Sequence, residues 1–218
     1  MRRTEEEVRE IMRQLALAEP VAAYPGRHAE AAEWSHEPFH VLITTVLSQR
    51  TKDANTHLAS RRLFDRFPDA ASIASASESE VEELIRPAGF YRSKARSIIA
   101  ISRIIEQDMH GQVPDDMEKL LTLPMVGRKT ANCVLSYGFD QDAVCVDTHV
   151  HRISNRIGLV STEEADETEA ALRLVVPKSL WKEVNMRLVP FGQDVCLPRH
   201  PRCPICSIKK YCDHGRDR

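Results

Sequence analysis

Several things are scarce in this chain of 218 residues, and each scarcity excludes something. No apolar run is long enough to cross a bilayer, so no membrane partner is expected. The opening stretch MRRTEEEVRE is too charged for a signal peptide, which points to a cytosolic protein in a reducing compartment. An excess of positive charge is also missing: 30 lysines and arginines stand against 32 aspartates and glutamates, a formal net charge of −2. That balance is not the footprint of a protein that coats nucleic acid non-specifically, so any DNA-binding role must rest on a local basic surface. Paired alternating segments are lacking too, because the one β-like run, Ala143 to Val146, has no partner. There is no internal repeat and no low-complexity stretch. Six cysteines in a reducing compartment argue for metal ligation or plain burial rather than a disulfide framework.

What the chain does contain is helical pattern, and it reads as all-α. Thr4 and Glu7 form a capping box ahead of Val8, Ile11, Met12 and Leu15, which share one helical face. A loop is expected from Tyr24 to Glu37, after which Pro38 opens a helix with Phe39, Leu42, Ile43, Val46 and Leu47 on its buried side. Asp53 to Phe67 reads as the next helix, capped by Asp53, with Leu58, Leu63 and Phe67 as core residues. Ser77 with Glu80 starts another, bearing Val81, Leu84 and Ile85. Ser93 to Gln107 is helical through Ile98, Ile101, Ile104 and Ile105, and Pro114 introduces a short helix with Met117, Leu120 and Leu121. Helices from Glu163 to Val175 and from Ser179 to Phe191 complete the pattern.

The stretch LTLPMVGRKTANCVLSYGFDQDAVCVDTHV, from Leu121 onward, holds a lysine and an aspartate in unusual settings. Leu123, Pro124, Val126 and Gly127 read as a tight hairpin, with proline fixing φ and glycine permitting φ > 0. A helix from Arg128 to Tyr137 follows, so Lys129 sits in its first turn, where unpaired N–H groups and the macrodipole make a positive environment. A lysine there is either solvated beside a bound phosphate or pushed towards the neutral, nucleophilic amine. Asp147 ends an apolar run and precedes a second helical pattern, which an ordinary N-cap explains completely. Residue chemistry alone leaves both as candidates and no more.

Cys196, Cys203, Cys206 and Cys212 are spaced C-x6-C-x2-C-x5-C, four thiols that can close on a tetrahedral or a cubane centre. On chemistry alone zinc is favoured, since the spacing is neither of the usual ferredoxin patterns. Cys133 and Cys145 fall within apolar patterns and read as buried thiols. Arg199 and Arg202 lie in the loop between the first two cysteines and are candidates for phosphate contact. With Lys209, Lys210, Arg216 and Arg218 they make the C-terminal end locally basic.

LPMVGRKTANCVL followed by VDTHVHR resembles the endonuclease III family of DNA glycosylases, and the resemblance extends over most of the chain. It implies a two-domain helix-hairpin-helix glycosylase fold: a six-helix barrel over residues 31–141, and a second domain built from residues 1–30 and 142–218 around a [4Fe-4S] cluster. It makes Lys129 and Asp147 the catalytic pair, and it makes the four cysteines ligands of the cluster rather than of zinc. The hairpin departs from the family pattern at Met125, where a second glycine is usual; a side chain there carries strain if φ is positive.

The resemblance also implies double-stranded DNA as partner, with Val126, Gly127 and Arg128 holding a phosphate. Gln49 and Arg50 lie in the family's gap-filling loop, and either could enter the duplex. Phe90 matches its wedging residue, although by composition Phe90 reads as core. Arg152 is either a phosphate contact or an internal partner. The implied activity is that of a bifunctional glycosylase and AP lyase acting on oxidised pyrimidines, in a cytoplasmic, nucleoid-associated monomer. A monofunctional mismatch glycosylase, a metal-stapled DNA-binding module without catalysis, and an electron-transfer protein are the competing readings.

Overall fold

The computed structural model describes residues 3–18 and 37–216. The expected loop from Tyr24 therefore lies, except for Glu37, outside the described residues, as does Arg218. Among the described residues there is no strand, so the fold is all-helical, and no helix is long and apolar enough to cross a membrane. The chain divides into two compact units. The described residues 3–18 and 142–216 belong to one, and 37–141 to the other.

The continuous unit begins with α1 (Pro38–Ser48), α2 (Asp53–Arg66) and α3 (Ala70–Ala74). Then come α4 (Glu78–Leu84), α5 (Tyr91–Asp108) and α6 (Met117–Leu121). The last is α7 (Arg128–Cys133), prolonged by a π-helical turn at Val134–Gly138. Capping chemistry sets several starts: Ser77 and Glu80 form the expected box at α4, and Asp69 with Ser72 forms one at α3, a helix the apolar pattern does not announce. The capping role of Asp53 is corrected. Lys52 occupies the cap position of α2 without a side-chain cap bond, and Asp53 is the first helical residue, where a carboxylate favours the macrodipole.

Leu58 is corrected as well, being 43% exposed while Leu63, Phe64 and Phe67 are buried. Five residues rotate a helix by about 140° from Leu58 to Leu63, so the two cannot share a face. In α5, Ile98, Ile101 and Ile105 are fully buried, and Lys94 lies on that same stripe at 1% exposure.

The second unit joins both ends of the chain. A helix at Glu5–Leu17, opened by the Thr4 and Glu7 box, packs Val8, Ile11, Met12 and Leu15 into one core with Val144, Val150, Ile153, Leu172, Val184 and Leu188. Those partners come from the run before Asp147 and from helices Thr148–Ile157, Ala165–Val175 and Trp181–Asp194. Arg3 ties the ends together by donating to Ile157 O at 2.9 Å and to Tyr211 O and Asp213 Oδ1 at 2.5 Å each. Cys133 and Cys145 are buried, as their apolar surroundings predict.

Candidate functional site

The hairpin between α6 and α7 differs from expectation in which residue bends it. Gly127 has φ −100° and ψ 179°, a conformation open to any residue, whereas Met125 takes the left-handed turn at φ 60°. The strained position is therefore the one that lacks the family's glycine. Its carbonyl is held by Gln49, whose Nε2 donates to Met125 O at 2.8 Å and lies 3.3 Å from Thr130 Oγ1. Val126 is 6% exposed and its N–H donates to Leu123 O at 3.2 Å, so neither its side chain nor its amide is left for a phosphate. Gly127 is exposed, and a methyl group at its Cα would meet nothing within 4 Å. Lys129 is the second residue of α7 and half-buried, with Arg128, also half-buried, just before it.

Two loops of the same unit present the other candidates. Arg50 (φ 51°) and Phe90 (φ 58°) are both left-handed and exposed, and the Arg50 guanidinium lies 5.1 Å from the Phe90 ring centroid. Phe90 is 62% exposed, which corrects its reading as core. Its αL backbone is the reason: it caps the start of α5 and turns the side chain away from the Ile98 stripe. Gln49 is engaged with the hairpin, so Arg50 is the outward residue of the first loop.

Beneath both loops sits Lys94, which was not singled out from the sequence. Its Nζ donates to Leu47 O at 2.7 Å, Gln49 O at 2.6 Å and Thr51 Oγ1 at 2.8 Å. Burial pushes its ammonium down to about 8. The signal that could have found it is its spacing, four residues before Ile98 on an apolar stripe, where a lysine needs internal acceptors.

In the other unit, Asp147 caps the helix Thr148–Ile157 as its position suggests. Oδ1 accepts from His149 N–H at 2.9 Å and Val150 N–H at 2.8 Å, so Oδ2 takes no part in the cap. Arg152 proves to be an internal partner: its Nη2 donates to Gly192 O at 3.0 Å and Cys196 O at 2.8 Å. One turn on, Arg156 donates to Leu197 O at 2.7 Å and Pro198 O at 2.8 Å and reaches Cys196 Sγ at 3.4 Å. These two arginines anchor the start of the cysteine loop, while Arg199 and Arg202 stand exposed within it.

One cavity is lined by all four cysteines of the C-terminal motif, with Ile153, Phe191 and Ile208 on its apolar side. Burial pushes the Cys206 thiol up to about 11 and raises Cys212 as well, opposed by the Ile208 N–H at Cys206 and by the Gly215 and His214 N–H groups at Cys212. Amide donors aimed at sulfur, with a guanidinium at Cys196, suit thiolates bound to a positive centre. Among the described residues no three His, Cys, Asp or Glu side chains are drawn together as around a single metal ion.

Comparison with known proteins gives this arrangement its relatives. Residues 43–178 match the HhH-GPD superfamily of base excision DNA repair proteins. The chain is 47% identical to endonuclease III of Thermotoga maritima over 200 residues, 92% of each protein, and 38% identical to endonuclease III of Synechocystis over 87% of this chain and 86% of that one. The solved structure of a trapped endonuclease III–DNA covalent intermediate matches with TM-score 0.85 at 34% identity, covering 99% of this chain and 98% of that one. A thermostable thymine-DNA glycosylase, at 23% identity and TM-score 0.83, shares the fold. The chain belongs to the HhH-GPD superfamily of base excision DNA repair enzymes, within its endonuclease III family.

Proposed function

We propose that this chain is a bifunctional DNA glycosylase and AP lyase that acts as a monomer on duplex DNA carrying oxidised pyrimidines such as thymine glycol. The observation that carries the reading is the near full-length match to an endonuclease III whose covalent DNA intermediate has been trapped. A covalent intermediate requires a nucleophile, and Lys129, in the hairpin motif LPMVGRKTANCVL, is the candidate.

Lys129 Nζ, as the neutral amine, attacks C1′ of the extruded nucleotide. The glycosidic bond breaks and its electron pair leaves with the base. Loss of the amine proton and opening of the sugar ring give a C1′ imine; removal of a C2′ proton then expels the 3′ phosphate by β-elimination. Asp147 accepts the lysine proton and stabilises positive charge on the sugar. Its two cap bonds at Oδ1 fix the carboxylate and leave Oδ2 for this work. Gly127 offers its amide to a phosphate, while Arg50 and Phe90 fill the space left by the extruded nucleotide. Cys196, Cys203, Cys206 and Cys212 line one cavity, and four thiols with N–H groups at Cys206 and Cys212 fit a [4Fe-4S] cluster, the group that the resemblance to the endonuclease III family implies. When bound, the cluster staples the C-terminal loop, whose exposed Arg199 and Arg202 then face phosphates.

The test is incubation with thymine glycol duplex followed by borohydride, comparing the wild type with Lys129→Gln. A covalent adduct lost in the variant is expected. Base release without any adduct would make the enzyme monofunctional, and neither product on a panel of lesions and abasic DNA would leave a DNA-binding module.

A further inference from the structure

The two loops that carry Arg50 and Phe90 share a buried network. Lys94 Nζ gathers Leu47 O, Gln49 O and Thr51 Oγ1, all within 2.8 Å, at a site where the lysine is 1% exposed. Thr51 Oγ1 also accepts the Gly89 N–H at 3.0 Å and donates to Gln49 O at 3.2 Å, so the hydroxyl is saturated and bridges one loop to the other. The loops are in close contact at Gly89, where a methyl group would sit 2.6 Å from Arg50 O. Arg50 and Phe90 then rise from this seam with left-handed backbones and stack on each other.

An ammonium is a costly thing to bury, and an aliphatic residue would fill the stripe of Ile98, Ile101 and Ile105 without that cost. What an aliphatic side chain cannot do is satisfy two carbonyls turned inward from α1's end and the hydroxyl beside them. We propose that Lys94 is a positioning residue for nucleotide extrusion: through Thr51 it locks the two DNA-facing loops into one wedge, so that Arg50 and Phe90 enter the helix together. This rests on the glycosylase reading above. Lys94 itself touches neither DNA nor the reacting atoms.

A lesion paired with a normal base must be unstacked and its gap filled, at a cost of a few kcal/mol; a lesion opposite an abasic site has lost part of that stacking already. A wedge defect should therefore slow the first substrate more than the second, whereas general damage to the fold slows both alike. The experiment measures single-turnover base release from thymine glycol opposite adenine and opposite an abasic site, with wild type, Lys94→Met and the milder Thr51→Val. Wild-type release on either substrate establishes the underlying activity; its absence on both sinks the glycosylase reading and the wedge with it. With the wild type active, the expected result is a loss of about tenfold or more on the paired lesion and less than about threefold opposite the abasic site, in Thr51→Val and in Lys94→Met if it folds. Fluorescence of 2-aminopurine beside the lesion should show the same loss of unstacking. Equal slowing on both substrates, or no slowing in a folded variant, overturns the proposal.

Discussion

The guanidinium of Arg50 lies over the ring of Phe90, 5.1 Å from its centroid, although the two residues belong to different loops and forty positions separate them. Both are exposed, so the stack adds little to folding, and under the proposed function its value lies in what the pair presents to DNA.

Arg50→Ala and Phe90→Ala should each change folding stability by no more than about 0.5 kcal/mol, as expected for exposed positions. Each should lower single-turnover release from a paired lesion by about tenfold or more, and the double variant should lose less than the product of the two, because contacting residues couple. Thermal melts and rate measurements on the four proteins of the cycle check this. Strict multiplicativity would mean that the residues work independently.

The hairpin makes a divided prediction. Met125 is left-handed at φ 60°, so Met125→Val should destabilise by about 1–2 kcal/mol more than Met125→Asn, since a β-branched residue fits that region worst. Gly127→Ala should leave the melting curve within about 0.5 kcal/mol, because φ is ordinary and the space is open. If the Gly127 amide holds a phosphate as proposed, the same methyl group stands in its way, so DNA affinity should fall several-fold. Unchanged affinity would remove Gly127 from the interface.

These contrasts mark how far the sequence could be read. The capping boxes at Thr4 and Ser77, the helix opened by Pro38 and the cap at Asp147 were legible because each depends on residues within one turn. Met125 was legible as a departure, but its consequence depended on φ, which only the fold supplies. Composition alone misplaces Phe90, which the family resemblance puts at a wedging position, and overlooks Lys94, for complementary reasons. An aromatic ring looks like core until the backbone turns it outward, and a lysine looks like surface until three acceptors from forty residues away close around it. The internal role of Arg152 likewise depends on carbonyls of Gly192 and Cys196, far along the chain.

Lys94 also gives stability a pH dependence of known sign. Burial lowers its folded-state value to about 8, below the ordinary lysine value of 10.5, so the unfolded chain binds the proton more tightly. Its contribution is therefore most favourable above 10.5, falls as the pH is lowered towards 8, and is constant below that, a span of roughly 3 kcal/mol at most. Denaturant unfolding between pH 7 and 10.5 should show the stability difference, wild type minus Lys94→Met, rising with pH. A flat difference would mean that the amine keeps its ordinary affinity for the proton.

The cysteine loop predicts what purification should reveal. Iron and sulfide at about four of each per chain, with visible absorbance lost in Cys206→Ser, are expected of a [4Fe-4S] cluster. Removing the group should lower the melting temperature, because the four thiols otherwise line an apolar cavity in which burial raises two of them. One zinc per chain and no colour would replace the cluster with a single ion.

The unit that carries these cysteines is closed by Arg3, which reaches Tyr211 and Asp213. On the ribosome this sets an order of events. The continuous unit can fold as soon as residue 141 has emerged, whereas the helix at Glu5–Leu17, which precedes it in the chain, must keep its apolar face without its core until the helices from Thr148 onward arrive. The loop of Cys196, Cys203, Cys206 and Cys212 follows these helices in the chain, so a group bound by the four thiols would be held only once the segment carrying Arg3 and the segment carrying Tyr211 have come together.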